Sequence, residues 1–267
     1  MTRILTVGLG GTIGSVKKDS IALDSNTLKI LDRVHYEDVE LIGDSPFSVL
    51  SENMTVRLWK ELISYIDSID FCSFDGVIIL HGSDTLAFTA SIIANAFPDK
   101  SIVLTASDKP IEDESSNGIR NFEDAVLAVK HGVHSPMVSY DGLFKADCIT
   151  SADVQDKFIS IDKTLEPLNS KIIYDKNILL INAYVGINAG NYNFDYADAV
   201  LVNMYHSATV PCEFAHELAK TGKPVYYVTH KQSADYESTA GIKNIIKNCT
   251  PENAYARILL TNGKIMI

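Results

Sequence analysis

The segment Arg3-Ile4-Leu5-Thr6-Val7, followed by Gly10-Gly11-Thr12-Ile13-Gly14, indicates the fold class of this chain. Its first part is an apolar run of strand length, and the glycine-rich part is typical of a turn. The same plan recurs where the apolar run Gly76-Val77-Ile78-Ile79-Leu80 leads into His81-Gly82-Ser83-Asp84-Thr85. The carboxyl ends of parallel strands share one edge of a sheet, where open α/β sheets bind their ligands. The two hydroxyl-bearing turns therefore predict one site.

Alternation of short apolar runs with segments of helical period extends from residue 3 to about residue 140. This pattern is typical of a doubly wound, mostly parallel sheet. The pattern is irregular from residue 153 to 177, and a second αβ series follows. We therefore predict an α/β fold with a larger N-terminal domain over residues 1–165 and a smaller C-terminal α/β domain over residues 172–267. A linker over about residues 155–175 joins them.

Local signals predict several smaller features. The polar stretch 16–20 lacks periodicity and is predicted as a mobile loop. Apolar residues at helical spacing predict a helix from Asn53 to Ile69, with Ser51 as its N-cap. A further helix is predicted from Thr85 to Phe97, and Asp84 is placed to cap it. An N-cap carboxylate at the cleft still has lone pairs for a ligand ammonium, so the two roles of Asp84 are compatible.

Composition and cysteine spacing exclude several functional classes. The chain has 267 residues, 34 acidic against 23 basic, with a net charge of -11 and no basic stripe, so nucleic acid is not an expected partner. Its four cysteines form no CxxC pair, and no cluster of metal ligands is evident, so neither a metal nor a cofactor is predicted. The start lacks a secretory pattern and no apolar run reaches transmembrane length, which predicts a cytoplasmic protein without a membrane partner.

The turn at Gly10 to Gly14 has two simpler interpretations. A nucleotide-binding loop is disfavoured because the stretch has neither the GxGxxG order nor a GK[ST] ending. An ordinary strand-to-helix turn stays an alternative. Glycines at positions 10 and 11 would let the backbone approach a ligand and direct N–H groups at an oxyanion, leaving Thr12 exposed. His81, at the end of an apolar run, is predicted to be a buried, hydrogen-bonded histidine without a catalytic role.

Taken together, these motifs resemble the bacterial-type asparaginase/glutaminase family. Gly10-Gly11-Thr12-Ile13 resembles its first signature, and Leu80 to Leu86 resembles its second, with Ser83 where threonine is usual. Between them, Ser51-Glu52-Asn53-Met54 is similar to the family segment that binds the substrate carboxylate. Thr250-Pro251-Glu252 resembles the segment that precedes the last helix.

The resemblance implies an amidohydrolase that acts on a small amide substrate such as asparagine. It makes Thr12 the nucleophile, with Gly11 in its backbone setting, and Ser83 the second hydroxyl, which assists proton movement or positions water. The catalytic residues implied are Thr12, Ser83 and Asp84, and the substrate-binding residues are Gly11, Ser51, Glu52 and Gly82. Ser51 would bind the substrate α-carboxylate, and Asp84, helped by Glu52, would bind its α-ammonium. Family members form dimers or tetramers with composite sites, so a homodimer or homotetramer is expected, and Tyr236 and Glu237 are loosely placed candidates for a contribution to a neighbouring copy of the chain.

Two departures from the family pattern keep other functions open. Counting to the family's activating lysine reaches Thr150, and Lys145, five residues earlier, is the nearest substitute. The loop tyrosine of the family is also absent between Val16 and Asn26. A different amide, such as glutamine, therefore stays an alternative substrate. A catalytically weak or inactive amino-acid-binding sensor on the same fold is the alternative from another functional class.

Overall fold

The computed structural model describes residues 1–264 and contains two parallel-rich sheets and a short hairpin. The strands are β1 (Thr2–Gly8), β2 (Ser15–Lys17), β3 (Ile21–Leu23), β4 (Val39–Asp44), β5 (Gly76–Leu80), β6 (Ile102–Thr105), β7 (Met137–Ser139), β8 (Leu143–Lys145), β9 (Ile178–Asn182), β10 (Ala199–Asn203), β11 (Val225–Val228) and β12 (Ile245–Ile246). The helices are α1 (Val56–Ser68), α2 (Leu86–Ala96), α3 (Gly118–Lys130), α4 (Cys212–Lys220) and α5 (Pro251–Leu260).

The larger sheet has the strand order β4-β1-β5-β6-β7-β8, and only β8 is antiparallel to its neighbour. After β1 the chain moves outward to β4, and it then returns to the other side of β1 to form β5. The order therefore reverses between β1 and β5. Ligands of open α/β sheets bind at such a reversal, outside the carboxyl ends of the strands. The turns that follow β1 and β5 are the two that the sequence singles out.

The layers of this unit follow from the alternation of side chains along a strand. In β5, Val77 and Ile79 belong to a core shared with α1 and α2, whereas Ile78 and Leu80 belong to a core shared with α3. Both faces of the strand are therefore covered, as its uninterrupted apolar sequence predicts. The α/β fold with a larger, mostly parallel sheet and a smaller second sheet is confirmed.

The smaller sheet has the order β12-β11-β10-β9, with all strands parallel. Helix α4 packs on one face, where Phe214 and Leu218 are fully buried. On the other face α5 packs against α2 of the larger unit, so one apolar core continues from Ile93 through Ile258 to Leu201. The predicted domain boundaries and linker stay predictions.

Four local predictions differ from the structure. The stretch predicted as a mobile loop, residues 16–20, belongs to the hairpin of β2 and β3, because Ser15–Lys17 pairs with Ile21–Leu23. The sequence did not predict this pairing because three-residue strands are too short to show an alternation of apolar and polar residues. The strands β4, β8 and β12 were also not predicted.

Among residues 1–264, no helix is both long and apolar enough to cross a membrane.

The N-caps of α1 and α2 are the other two differences. Helix α1 begins at Val56, and its N-cap is Thr55, whose Oγ1 accepts a hydrogen bond from the Leu58 N–H at 3.3 Å. Ser51 instead begins a separate 3-10 turn. Similarly, Asp84 lies inside a 3-10 turn ahead of α2 and does not cap that helix. Both side chains are therefore left available for other contacts.

Candidate active site

Backbone contact between the two glycine turns joins the predicted site. A Cβ added to Gly11 would lie 2.3 Å from the backbone nitrogen of Gly82, and one added to Gly82 would lie 2.3 Å from Ser51 Oγ. At Gly11 the neighbouring atoms are backbone and leave room only for glycine, whereas at Gly82 a Cβ would displace the Ser51 hydroxyl. Three segments that are distant in sequence therefore meet at one point, and Thr12 and Ser83 each directly follow a glycine of this contact.

The turn after β1 is fixed by hydrogen bonds on both sides of Thr12. Gly11 N–H donates to Val49 O at 3.1 Å, and Ser15 Oγ donates to Gly11 O at 2.7 Å. Gly11 itself has φ 68° and ψ -173°, a conformation that is essentially restricted to glycine. Thr12 then begins a 3-10 turn and is half-buried. A residue other than glycine at this position would therefore be strained, and Thr12 follows it directly.

The turn after β5 presents its polar side chains at the same edge. Ser83–Thr85 forms a 3-10 turn in which Ser83 is half-buried and Asp84 is exposed. Thr85 Oγ1 donates to Ser51 O at 2.9 Å, so the second turn is tied to the third segment. Ser51 is 4% exposed, whereas Glu52 beside it is exposed. Two carboxylates, those of Asp84 and Glu52, therefore stand near a buried hydroxyl.

A buried chain of hydrogen bonds supports the second turn from below. Trp59 Nε1 donates to Thr89 Oγ1 at 2.9 Å, and Thr89 Oγ1 lies 2.9 Å from His81 Nε2. His81 Nδ1 lies 2.8 Å from Gly82 O. Because the carbonyl only accepts, Nδ1 carries a proton, and in the neutral imidazole Nε2 then accepts from the Thr89 hydroxyl, which itself accepts from the indole. Burial lowers the pKa of His81 to about 4, in keeping with that neutral form.

Lys145 lies far from this edge, which excludes it as the substitute for the family lysine. It pairs with Met137, the first residue of the parallel strand β7, and is therefore at the amino edge of the sheet. Strand β8 runs antiparallel to β7, and that reversal carries the lysine away from the carboxyl edge. Thr150, at the position reached by counting, is half-buried, and its hydroxyl donates to Ser151 O at 3.2 Å.

One charged group near the Thr12 turn was not singled out from the sequence. Lys29 is only 9% exposed, and its Nζ donates to Ser15 O at 2.5 Å and to Glu112 Oε1 at 2.6 Å. The available signal was a single lysine inside the apolar run Leu28 to Leu31, since a charge in such a run is paired when it is buried. Within the described part of the chain, no group of three or more His, Cys, Asp or Glu residues is arranged to hold a metal ion.

Comparison with known proteins identifies the family. Residues 3–152 match the family described as "Asparaginase, N-terminal". This chain belongs to the asparaginase family. The matched stretch extends from the second residue of β1 to beyond β8 and contains all three segments of the candidate site.

Curated relatives of this asparaginase-family chain carry two different names. A glutamyl-tRNA(Gln) amidotransferase component from Aeropyrum pernix is 33% identical over 136 residues, which are 47% of this chain and 31% of the relative. The L-asparaginase of Thermococcus kodakarensis is 28% identical over 145 residues, which are 52% of this chain and 44% of the relative. The matches thus span less than half the length of these relatives.

Solved structures of the family agree with the fold over the whole chain. The thermostable L-asparaginase from Thermococcus kodakarensis superposes with a TM-score of 0.80 at 20% identity, covering 99% of this chain and 94% of that one. L-asparaginase I from Vibrio cholerae gives a TM-score of 0.78 at 21% identity, with 100% and 94% covered. At this identity the likeness establishes the fold alone.

Proposed function

We propose that this chain hydrolyses the side-chain amide of L-asparagine to L-aspartate and ammonia, with Thr12 as the nucleophile. The observation that carries the proposal is the contact between Gly11, Gly82 and Ser51 at the point where the strand order reverses. It brings two hydroxyl-bearing turns and a buried serine together at the edge where a ligand of this sheet type binds.

The proposed reaction is acyl transfer in two steps. Thr12 Oγ1 attacks the amide carbon, the C–N bond breaks, and ammonia leaves with a proton that passes from Thr12 through the Ser83 hydroxyl. Water then attacks the threonine ester, which releases aspartate and restores the hydroxyl. Backbone N–H groups in the glycine turns are suited to stabilise the oxyanion of each tetrahedral intermediate, because their positions are fixed before the substrate arrives.

The substrate is held, in this proposal, by its two charged ends. Ser51 Oγ donates to the α-carboxylate, and the carboxylates of Asp84 and Glu52 accept from the α-ammonium. Charge-assisted hydrogen bonds are roughly twice as strong as neutral ones, so a small zwitterion is oriented before reaction. Asp84 does not cap α2, so its carboxylate is not used by that helix and is available to the α-ammonium.

Ammonia release by the purified protein tests the proposal. We expect release from asparagine, a loss of about a thousandfold in kcat for Thr12→Ala, and partial activity for Thr12→Ser, which keeps a hydroxyl. Thr221→Ala, at the C-terminal end of α4, is the matched control and should leave kcat unchanged. Wild-type kcat in Thr12→Ala would remove this residue from the mechanism.

The assay should cover glutamine and a few other amides, because relatives of this chain bear both an asparaginase and an amidotransferase name.

A second candidate function is amino-acid binding without turnover. It is favoured by one observation, namely that Lys145 lies at the opposite edge of the sheet from Thr12. Calorimetry with asparagine and aspartate separates the two functions, since a sensor binds the amino acid and releases no ammonia. A homodimer or homotetramer remains part of the proposal, and light scattering measures it.

A further inference from the structure

We propose that Lys29 is a positioning residue for the Thr12 turn, which it holds by an ammonium group bridged to the loop after β6. The inference rests on the proposed function, because its purpose is to place the nucleophile. It begins with burial, since a lysine that is 9% exposed must have partners for its charge.

The partners of Lys29 come from three separate segments. Its Nζ donates to Ser15 O at 2.5 Å, to Glu112 Oε1 at 2.6 Å, and lies 3.7 Å from Asp24 Oδ2. The ammonium therefore donates two hydrogen bonds and forms an additional ion pair with Asp24. Two of these partners are carboxylates, so the buried cation is fully paired and the cluster is left with one excess negative charge.

One of these contacts leads directly to the nucleophile turn. Ser15, whose carbonyl accepts from Lys29, donates through its own Oγ to Gly11 O at 2.7 Å. Gly14 N–H also donates to Gly11 O, at 3.1 Å, and Asp24 N–H donates to Gly14 O at 3.0 Å. Both ends of the stretch from Gly11 to Ser15 are therefore held within a network that ends on Lys29, and Thr12 lies between them.

Glu112 supplies the other end of the bridge. It lies in the loop between β6 and α3, and its carboxylate is partly exposed. A space of about 370 Å³ separates Val16, Lys17 and Lys18 of the hairpin from Pro110, Glu112 and Asp113 of that loop. The Lys29 ammonium bridges the two segments beside this space, through Ser15 O on the hairpin and Glu112 on the loop.

From this geometry we expect replacement of Lys29 to change kcat more than KM. The groups proposed to bind the substrate, Ser51, Asp84 and Glu52, lie on other segments, whereas the Lys29 network contains the Thr12 turn. A displaced nucleophile lowers kcat because the reacting atoms must be aligned within about half an ångström. KM is expected to change little.

The test compares Lys29→Met, Lys29→Arg and Glu112→Gln in the full chain. Lys18→Met, which changes an exposed lysine of the β2–β3 hairpin, is the matched control. We expect a fall in kcat of about tenfold or more for Lys29→Met and of a few-fold for Glu112→Gln. KM should stay within about threefold of the wild type, Lys29→Arg should recover part of kcat, and Lys18→Met should behave as the wild type. A merely structural lysine would lower the melting temperature and leave kcat per folded molecule unchanged, and that result would overturn the proposal.

Hydrogen exchange gives a readout that does not require activity. We expect the amides of Gly14 and Asp24 to exchange faster in Lys29→Met, while the amides of α5 keep their protection. If Lys29→Met does not fold, Glu112→Gln carries the same comparison. A wild type that releases no ammonia from any amide defeats the proposed function, whereas unchanged exchange in the 11–24 segment defeats the role of Lys29, so the two failures are distinguishable.

Discussion

Gly11 and Gly82 lie backbone against backbone at the reversal of strand order, so close that a Cβ on Gly11 would meet the Gly82 nitrogen at 2.3 Å. Gly11 lies in the turn that follows β1, and Gly82 lies in the turn that follows β5. Their contact is therefore the physical link between the two sequence motifs, and the geometry of both hydroxyl-bearing turns depends on it.

Gly11→Ala should abolish activity and destabilise the fold. The conformation at Gly11 costs about 1–3 kcal/mol for any other residue, and the new methyl group would collide with backbone that has no rotamer to change. We expect a loss of at least about a hundredfold in kcat, measured by ammonia release, and a lower urea midpoint. Gly186→Ala is the control, because Gly186 has φ +79° but open space around its Cβ. It should lose stability and keep kcat.

Gly82→Ala should act mainly on substrate binding. Gly82 has φ -97° and ψ 148°, which alanine adopts without strain, so the cost comes from the contact of the new methyl group with Ser51. Because that methyl group would lie 2.3 Å from Ser51 Oγ, the hydroxyl proposed to bind the α-carboxylate must move. We expect KM for asparagine to rise about tenfold or more, with a smaller change in kcat. An unchanged KM would separate Ser51 from carboxylate binding.

Thr55 and Ser51 allow capping to be separated from binding. Thr55 caps α1, so Thr55→Ala should cost about 1 kcal/mol in the free energy of unfolding and leave KM unchanged. Ser51→Ala should raise KM and lower stability by less, since Ser51 begins only a 3-10 turn. Urea unfolding and steady-state kinetics on the two variants measure both quantities. The reverse pattern would restore Ser51 as the cap.

The sequence was sufficient for the features that depend on local pattern. The apolar run of β5 and the helical spacing of Trp59, Leu62, Ile63 and Ile66 predict buried elements, and all these residues are buried. Glycine turns at two strand ends predict a shared edge, because parallel strands must end together. In the structure the two turns do meet at this edge, through the contact between Gly11 and Gly82.

Other features depend on tertiary context that no local pattern carries. Ser15 of the β2–β3 hairpin accepts a hydrogen bond from Lys29, and Lys29 is paired with Glu112, which is 83 residues away from it in the sequence. The direction of β8 decides where Lys145 lies, and a three-residue strand gives no sign of its direction. The cap of α1 differs because Thr55, four residues after Ser51, stands closer to the first helical residue.

The neutral, buried His81 predicts how stability depends on pH. Burial lowers the pKa of His81 from 6.5 to about 4. Between pH 6.5 and 4 the unfolded chain therefore binds a proton at His81 that the folded chain does not bind. Its contribution is therefore complete above about pH 6.5 and is lost as the pH falls toward 4. Between pH 7.5 and 4.5 this amounts to about 2 kcal/mol, to be measured by urea unfolding with the fluorescence of the single tryptophan, Trp59.

His81→Gln isolates this effect, because glutamine keeps a donor and an acceptor and does not titrate. The variant should be less stable at pH 7.5, and its loss of stability between pH 7.5 and 4.5 should be smaller than that of the wild type by about 2 kcal/mol. Carboxylates elsewhere titrate equally in both proteins, so their contribution cancels in the comparison. An identical pH dependence in the two proteins would show that His81 is protonated without cost in the folded chain, and it would contradict the neutral tautomer that holds Gly82 in place.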